Sequence, residues 1–157
     1  MTMQHLWELG YFFRMCRMRM RFGGLSRAPL RLLRVEVRGQ EAQCEWMARP
    51  SDEWDNDLPP ADGRRNASLQ ALKDAMAIRE LLFSALPEVD SALFRVYRQP
   101  VREPPELIIA GIVNRNDEIS FNVRSPAMQA KLYGFRFWMD DGVLEVLESE
   151  KQTVFIS

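Results

Sequence analysis

The sequence has few of the residue types on which most catalytic and metal sites depend. Its 157 residues include one histidine and two cysteines. The single histidine, His5, leaves little material for acid–base catalysis by imidazole. Cys16 and Cys44 are too few for a disulfide framework and fit no metal-ligand spacing. We therefore expect no metal and no cofactor, and this cysteine usage is typical of a reducing, cytoplasmic setting.

The chain also lacks a long apolar run. No stretch approaches the roughly 20 apolar residues that span a bilayer. The first apolar segment is interrupted by Glu8 and Gly10, so the pattern of a signal peptide is absent. The length and the apolar fraction of 46% are those of an ordinary globular protein with one domain.

Residues 1–38 contain no lysine and few acids, and their arginines make this segment strongly basic. Eight arginines against two acids give +6, so the rest of the chain carries −7 of the total charge of −1. Arginine alternates with apolar residues from Arg17 to Phe22, which is the two-residue period of a strand with one cationic face. We predict that residues 1–27 form a basic arm that is poorly ordered or an edge strand, and that its first dozen residues contribute little to the fold.

The basic arm has three possible uses. Arginines on phosphates with Phe12, Phe13 or Phe22 stacked on bases would bind a nucleic acid. An acidic neighbouring protein is the second partner, and an anionic membrane surface is the third, although Gly10 argues against a long amphipathic helix. The nucleic-acid candidates are four arginines of the arm: Arg14, Arg17, Arg19 and Arg21.

Residues 28–157 are predicted to form a single domain that begins with a hairpin. Apolar and polar residues alternate from Leu33 to Arg38 and again from Ala42 to Trp46, with Gly39 between them, which is typical of half-buried antiparallel strands. Residues 49–65 are rich in proline, aspartate and glycine and have no periodicity, so they predict a long surface loop.

A helical pattern follows from Asn66, the predicted N-cap, to Leu86, before Pro87. Its apolar half includes Leu72 and Phe83, and the charged Arg79 lies near the middle of that half. An uncompensated charge there would cost several kcal/mol, so we expect a carboxylate to pair with Arg79.

Further strands are predicted beyond the helix. Residues 93–97 alternate, and Leu107 to Val113 is apolar on both faces, which favours a central strand covered on both sides. Residues 119–123 are its expected return strand, and 154–156 a last edge strand. Ser125 as N-cap, Pro126 at the first helical position and Gly134 as the stop predict a short helix. Asp140, Asp141 and Gly142 predict a turn, after which residues 143–150 suit either a strand or a helix.

The predicted fold class is α+β, with an antiparallel sheet packed on one long helix plus a short helix. The passage from Leu86–Asp90 into Leu93–Val96 resembles the helix-to-strand passage of ferredoxin-like folds. This resemblance implies a ferredoxin-like arrangement of the elements and carries no functional information.

Three side chains are candidates for a ligand site or an interface. Arg79 is expected to pair with one of three partners: a carboxylate of its own chain, a carboxylate of a second subunit, or an anionic ligand. Trp54 lies in the acidic loop, where Asp52, Glu53, Asp55 and Asp57 lack the spacing of a calcium site. Trp138 lies on one face of a predicted strand. The predicted helices are too few to cover every strand face, so we expect Trp138 to be exposed.

The leading functional hypothesis is a non-enzymatic module that binds a protein partner or forms a homo-oligomer. The alternative is a nucleic-acid-associated protein that uses the arginine-rich arm. A small enzyme or anion-binding domain that uses Arg79 is a second alternative, and the absence of catalytic motifs argues against an enzyme.

Overall fold

Three helices and a four-stranded mixed sheet make up the fold, together with a small two-stranded sheet. The computed structural model describes residues 3–21, 23–51, 57–116 and 123–147. The helices are α1 (Met3–Arg19), α2 (Pro60–Ala85) and α3 (Pro126–Tyr133). The strands are β1 (Arg31–Arg38), β2 (Glu41–Met47), β3 (Ser91–Arg98), β4 (Glu106–Asn114), β5 (Trp138–Asp140) and β6 (Val143–Glu145). The predicted α+β class is thereby confirmed, and no helix of the described part is long and apolar enough for a membrane span.

The large sheet has the order β1-β2-β3-β4 and contains one parallel pair. β1 and β2 form one antiparallel hairpin and β3 and β4 another, while β2 and β3 run parallel. A parallel pair needs a long crossover connection, which α2 supplies. The prediction of a wholly antiparallel sheet is therefore wrong for β2 and β3, and the ferredoxin-like arrangement is not confirmed.

β4 ends the sheet instead of lying at its centre, although its middle residues are buried. Its outer edge is met by Arg136, which exchanges two backbone hydrogen bonds with Ala110. A Cβ atom on Gly111 would overlap the carbonyl oxygen of Gly134, so glycine permits this close approach. Residues 107–111 are buried, whereas Ile112 is 66% exposed, so the predicted coverage of both faces holds for part of the strand and the central position is wrong.

Helix α2 begins seven residues earlier than its predicted start at residue 67. Pro60 occupies the first turn, where a missing N–H costs nothing, and Pro59 is the N-cap. Asn66 therefore lies inside the helix, and the predicted loop of residues 49–65 is shortened at its end. The apolar half is buried as expected, with Leu72 and Phe83 in the core.

Helix α1 contradicts the predicted strand for the arginine-rich segment. Methionine, arginine and leucine are good helix formers, and the helix tolerates Gly10. The buried side chains recur every three or four residues and join the main hydrophobic core, so this segment is part of the packed fold. They are His5, Leu9, Phe12, Cys16 and, just after the helix, Met20.

Several local predictions are confirmed. Cys44 and Trp46 of the first hairpin are buried, and Trp46 stacks edge-on against Phe94. The Ser125 side chain accepts a hydrogen bond from the Met128 amide at the start of α3. At its end, Gly134 has a left-handed φ of 107°.

The structure tests part of the predictions for the tail and the loops. Residues 143–145 are a strand, paired with β5 across the predicted turn at Asp141 and Gly142. Trp54, residues 119–122 of the predicted return strand (119–123) and the edge strand at 154–156 lie outside the described residues, as does Phe22.

A buried ion pair fastens the segment after α1 to the body of the fold. The Arg49 Nε lies 2.8 Å from Asp74 Oδ2, and both side chains are almost fully buried. The other guanidinium nitrogens of Arg49 donate to the backbone oxygens of Met20 and Ala28. Gln70 donates to the second Asp74 oxygen and accepts from the Leu25 amide.

The predicted polar half of α2 is therefore wrong at two positions. Gln70 and Asp74 are buried because the segment between α1 and β1 covers them. Periodicity assigns polar residues to solvent, whereas here Gln70 and Asp74 bond each other, and they also bond the Leu25 amide and Arg49.

Phe12→Ala should destabilise the protein by about 3–5 kcal/mol, because it empties a fully buried site in the core. The neighbouring Phe13 is 39% exposed, and Phe13→Ala is the matched control with an expected cost of about 1 kcal/mol or less. Urea unfolding of both variants measures the difference. Equal and small effects would mean that α1 does not belong to the core.

Arg49→Met should cost about 3–5 kcal/mol near neutral pH, because it leaves the Asp74 carboxylate buried without a cation. Asp74→Asn in the same background should recover part of this loss, so that the two substitutions are not additive. Unfolding free energies of the two single variants and the double variant measure the coupling. Strict additivity would show that the pair does not act as a unit.

The cost of Arg49→Met should also depend on pH. Burial raises the pKa of Asp74, while Arg49 and Gln70 oppose that effect. Without Arg49, Gln70 alone opposes the effect of burial, so the pKa of Asp74 in the folded state rises further above its ordinary value. A raised folded-state pKa favours the native state at low pH and disfavours it as the pH rises. The penalty measured by denaturation should therefore shrink between neutral pH and pH 4, and a constant penalty would contradict this account.

Candidate functional site

The side of α1 that faces away from the core carries large apolar side chains in contact with solvent. Trp7 is 71% exposed and Met18 is 74% exposed. We call this surface the α1 outer face. Its members are Leu6, Trp7, Tyr11, Phe13, Arg14, Arg17 and Met18, all of which are exposed.

The size of the patch is that of the largest apolar patch on a monomeric protein, which is often a functional surface. Weighting each of its five apolar side chains by its exposed fraction gives roughly 500–600 Å², near the upper end for the largest patch of a monomer. Single exposed apolar residues are ordinary, but five on one helix are not. The patch therefore marks α1 as the first candidate for an interaction surface.

The charge of the α1 outer face has one sign. Arg14 and Arg17 are exposed members, and Arg19 and Arg21 are exposed beside them. The acid nearest in sequence, Glu8, is only half-exposed. Arg14 and Arg17 thus share this face with the aromatic residues, whereas Arg19 lies on the side of the helix next to Glu80 and Leu81 of α2, and Arg21 follows the helix.

Aromatic members of this surface were only partly predicted. Phe12 is buried, so its predicted role in stacking on bases is wrong. Phe13 is exposed, and so are Trp7 and Tyr11, which sequence reasoning missed. The spacing of Trp7, Tyr11, Arg14 and Met18 by four, three and four residues was the available signal.

A groove of about 770 Å³ adjoins this surface, between the carboxyl half of α1 and the start of β1. Cys16 and Leu32 contribute apolar surface to it, and Arg17 stands among its lining residues. We call it the α1 groove. It is lined by Phe13, Cys16, Arg17, Met18, Met20, Arg21, Pro29, Leu30 and Leu32.

The thiol in this groove is held in its neutral form. Burial raises the pKa of Cys16 to about 12, and burial also raises that of Cys44 well above its ordinary value. The thiolate is the nucleophilic form of cysteine, so neither side chain is activated for attack. Both act as core residues, as predicted for Cys44.

Arg79 is buried, as predicted, and its guanidinium meets backbone and aromatic groups. Nη2 donates to the carbonyl oxygens of Asn114 and Arg115, at 2.9 and 3.1 Å. The guanidinium carbon lies 4.1 Å from the centre of the Tyr133 ring and 5.2 Å from that of Phe83. These contacts link α2 to the end of β4 and to α3, and the carboxylate partner stays a prediction.

A second arginine at this end of α2 was missed by sequence reasoning. Arg115 donates to the carbonyl oxygens of Phe83, Leu86 and Val89. Its guanidinium carbon also lies 4.9 Å from the centre of the Phe83 ring. A cation at a helix carboxyl end satisfies carbonyls that lack helical partners and complements the helix dipole. Arg79 and Arg115 thus have an evident architectural use.

The open face of the sheet carries a balanced ionic cluster around Glu45. This carboxylate lies 3.6 Å from Arg95 and 3.9 Å from Arg34, and it accepts a hydrogen bond from the Tyr97 hydroxyl at 3.0 Å. Burial raises the pKa of Tyr97, and Glu45 adds to that effect. Arg34 also pairs with Glu36 at 2.7 Å, so two carboxylates match two arginines, and the cluster is a weaker candidate for ligand binding than α1.

Of the two tryptophan candidates, the structure describes Trp138. Trp138 is 65% exposed on β5, in the two-stranded sheet. Trp54 and the acids Asp52, Glu53 and Asp55 lie outside the described residues. Within the described part, no group of three or more potential metal ligands occurs.

The α1 outer face and the α1 groove therefore form the candidate site, and their chemistry is that of a binding surface. Compared with known protein families, with curated proteins and with solved structures, this chain has no match.

Proposed function

We propose that this protein is a non-enzymatic assembly module that associates with a second copy of itself through the α1 outer face. The observation that carries this proposal is the composition of that face. Protein interfaces are enriched in aromatic residues, methionine and arginine and are depleted of lysine and acids. The exposed members of the α1 outer face include aromatic residues, a methionine and arginines, and they include no lysine and no acid.

Four members of the face form a stripe that is complementary to itself. Trp7, Tyr11, Arg14 and Met18 follow one another at helical spacing, with the aromatic residues first and the cation and the thioether last. When two such helices pair antiparallel about a two-fold axis, Trp7 of one copy faces Met18 of the other. Tyr11 then faces Arg14, and each contact occurs twice.

The antiparallel direction is favoured over the parallel one by the nature of these contacts. An arginine over a tyrosine ring makes a cation–π contact, and a methionine sulfur beside an indole is also favourable. Parallel pairing would place Arg14 against Arg14 of the second copy, which is a repulsive contact. α1 is about 25 Å long, which is enough for two turns of contact on each side of the axis.

Tyr11→Arg should dissociate the dimer, because it places an arginine opposite Arg14 of the second copy. The double variant with Tyr11→Arg and Arg14→Glu should restore the dimer through two new ion pairs. Sedimentation velocity over a concentration series distinguishes 18.3 kDa from twice that mass. Val101 is 86% exposed in the turn between β3 and β4, so Val101→Arg is the matched control for added charge.

Two results would contradict self-assembly through α1. One is a wild-type chain that sediments at 18.3 kDa at every concentration. The other is a dimer that Tyr11→Arg leaves intact. If Tyr11→Arg is monomeric and the double variant is monomeric too, the antiparallel direction of pairing is wrong. The interface through α1 would still be supported.

A nucleic acid is the second candidate partner, because Arg14, Arg17 and Arg19 are exposed on the same helix as Trp7 and Tyr11. Basic residues beside stacking aromatics are typical of single-strand binding. The variant Arg19→Glu discriminates the two functions, because Arg19 is exposed and lies outside the stripe from Trp7 to Met18. Loss of its positive charge should weaken binding to a polyanion at low salt and leave the dimer intact. We place either function in the cytoplasm, on the basis of cysteine usage.

A further inference from the structure

β1 lies at one end of the large sheet. The strand order places β2 on one side of it, and among residues 3–21, 23–51, 57–116 and 123–147 no strand lies on the other. An edge strand presents a row of backbone N–H and C=O groups with which another strand can pair. Charged side chains on an edge oppose unselective pairing, so the charges along β1 decide which strand it accepts.

The charges in the middle of β1 are arranged symmetrically about Val35. Arg34 precedes it and Glu36 follows it, and the Arg34 guanidinium lies 2.7 Å from the Glu36 carboxylate. Both side chains are accessible, with 50% and 38% of their surface exposed. When two copies of β1 pair antiparallel about Val35, Arg34 of each copy lies opposite Glu36 of the other. A second copy of β1 therefore supplies two cross-strand ion pairs to this edge.

Three nearby registers are disfavoured by like charges. Pairing centred on Arg34 or on Glu36 places each of these residues opposite its own copy. Pairing along the full strand places Arg31 opposite Arg38 of the other copy, and this contact occurs twice. The register centred on Val35 avoids all three contacts. It also uses the part of β1, from Arg34 to Arg38, that pairs with β2 without a bulge.

We infer that the edge of β1 is a second self-association surface, on which β1 of another copy pairs antiparallel in the register centred on Val35. Backbone hydrogen bonds join the two sheets, and the two ion pairs between Arg34 and Glu36 fix the register. This surface goes beyond the proposed dimer and shares no residue with the stripe from Trp7 to Met18. Dimers joined through α1 would therefore associate further through β1.

Disulfide trapping in the full chain tests the register, because a contact made by one pair of strands is marginally stable in water. Val35→Cys places two thiols opposite each other, with Cα atoms about 4.5–5.5 Å apart, which a disulfide can bridge. The matched control is Leu33→Cys, whose two Cα atoms would lie about 13 Å apart in this register. Leu33 is 42% exposed and Val35 is half-buried, so random collisions would favour the control. Copper–phenanthroline is the oxidant, and a non-reducing gel measures the rate at which the covalent dimer forms. The wild-type chain gives the baseline, since Cys16 and Cys44 are buried.

Two charge variants of the Val35→Cys chain test the ion pairs. Glu36→Arg gives the edge two arginines beside Val35, and Arg34→Glu gives it two glutamates. Each variant alone should be trapped about tenfold more slowly than Val35→Cys, because like charges then face each other. An equal mixture of the two should recover most of the rate, because arginine of one variant faces glutamate of the other. Glu103→Arg, an exposed site in the turn between β3 and β4, is the matched control and should leave the rate within about twofold.

Four results would overturn this surface: no trapping of Val35→Cys, trapping of Leu33→Cys at an equal rate, no gain on mixing the charge variants, or equal losses from Glu36→Arg and Glu103→Arg. Faster trapping in the mixture would support it and would show that both charge variants fold. Adding Tyr11→Arg to the Val35→Cys chain separates the two proposals. Trapping in a chain that forms no α1 dimer refutes the proposed assembly alone, whereas an α1 dimer that is not trapped refutes the β1 surface alone.

Discussion

The buried ion pair of Arg49 and Asp74 joins three parts of the chain that the rest of the architecture depends on. Arg49 follows β2, Asp74 lies in α2, and the backbone oxygens that Arg49 also binds flank the segment between α1 and β1. Each of these groups would be costly to bury alone. Because these groups satisfy one another's charges and hydrogen bonds, they fix the position at which α1 ends. The end of α1 in turn decides which side of the helix faces solvent and where the α1 groove opens.

Arginine has two different uses in this protein. Arg49, Arg79 and Arg115 are wholly or partly buried and donate to backbone carbonyls, so they act as cross-links between helices, strands and loops. The planar guanidinium suits this use because it offers five donors in fixed directions. The arginines of α1 are exposed, and their charge is available to a partner. The basic character of residues 1–38 is therefore a property of the surface, whereas the later arginines stabilise the fold.

Helix α1 carries the proposed dimer surface because it is apolar on both of its sides. One side joins the core through Leu9 and Phe12, and the other exposes Trp7 and Tyr11. Exposed apolar area on this scale has no role in the stability of a single copy, which is why it points to association. Among the described residues, β1 ends the large sheet on one side, because the parallel pair in the middle of the sheet leaves the first hairpin at one end.

The sequence by itself determined the features whose physical causes lie within a few residues. The hairpin around Gly39, the short helix between Ser125 and Gly134, and the turn at Asp141 depend on local backbone preferences, and all three are confirmed. The arginine candidates on α1 could be named, but their helix was missed, because arginine alternates with apolar residues from Arg17 to Phe22 in the two-residue period of a strand. Only the tertiary structure decided the parallel pairing of β2 and β3, the burial of Asp74 and the exposure of Trp7. Each of these depends on a partner far away in the chain, and no local pattern records which partner that is.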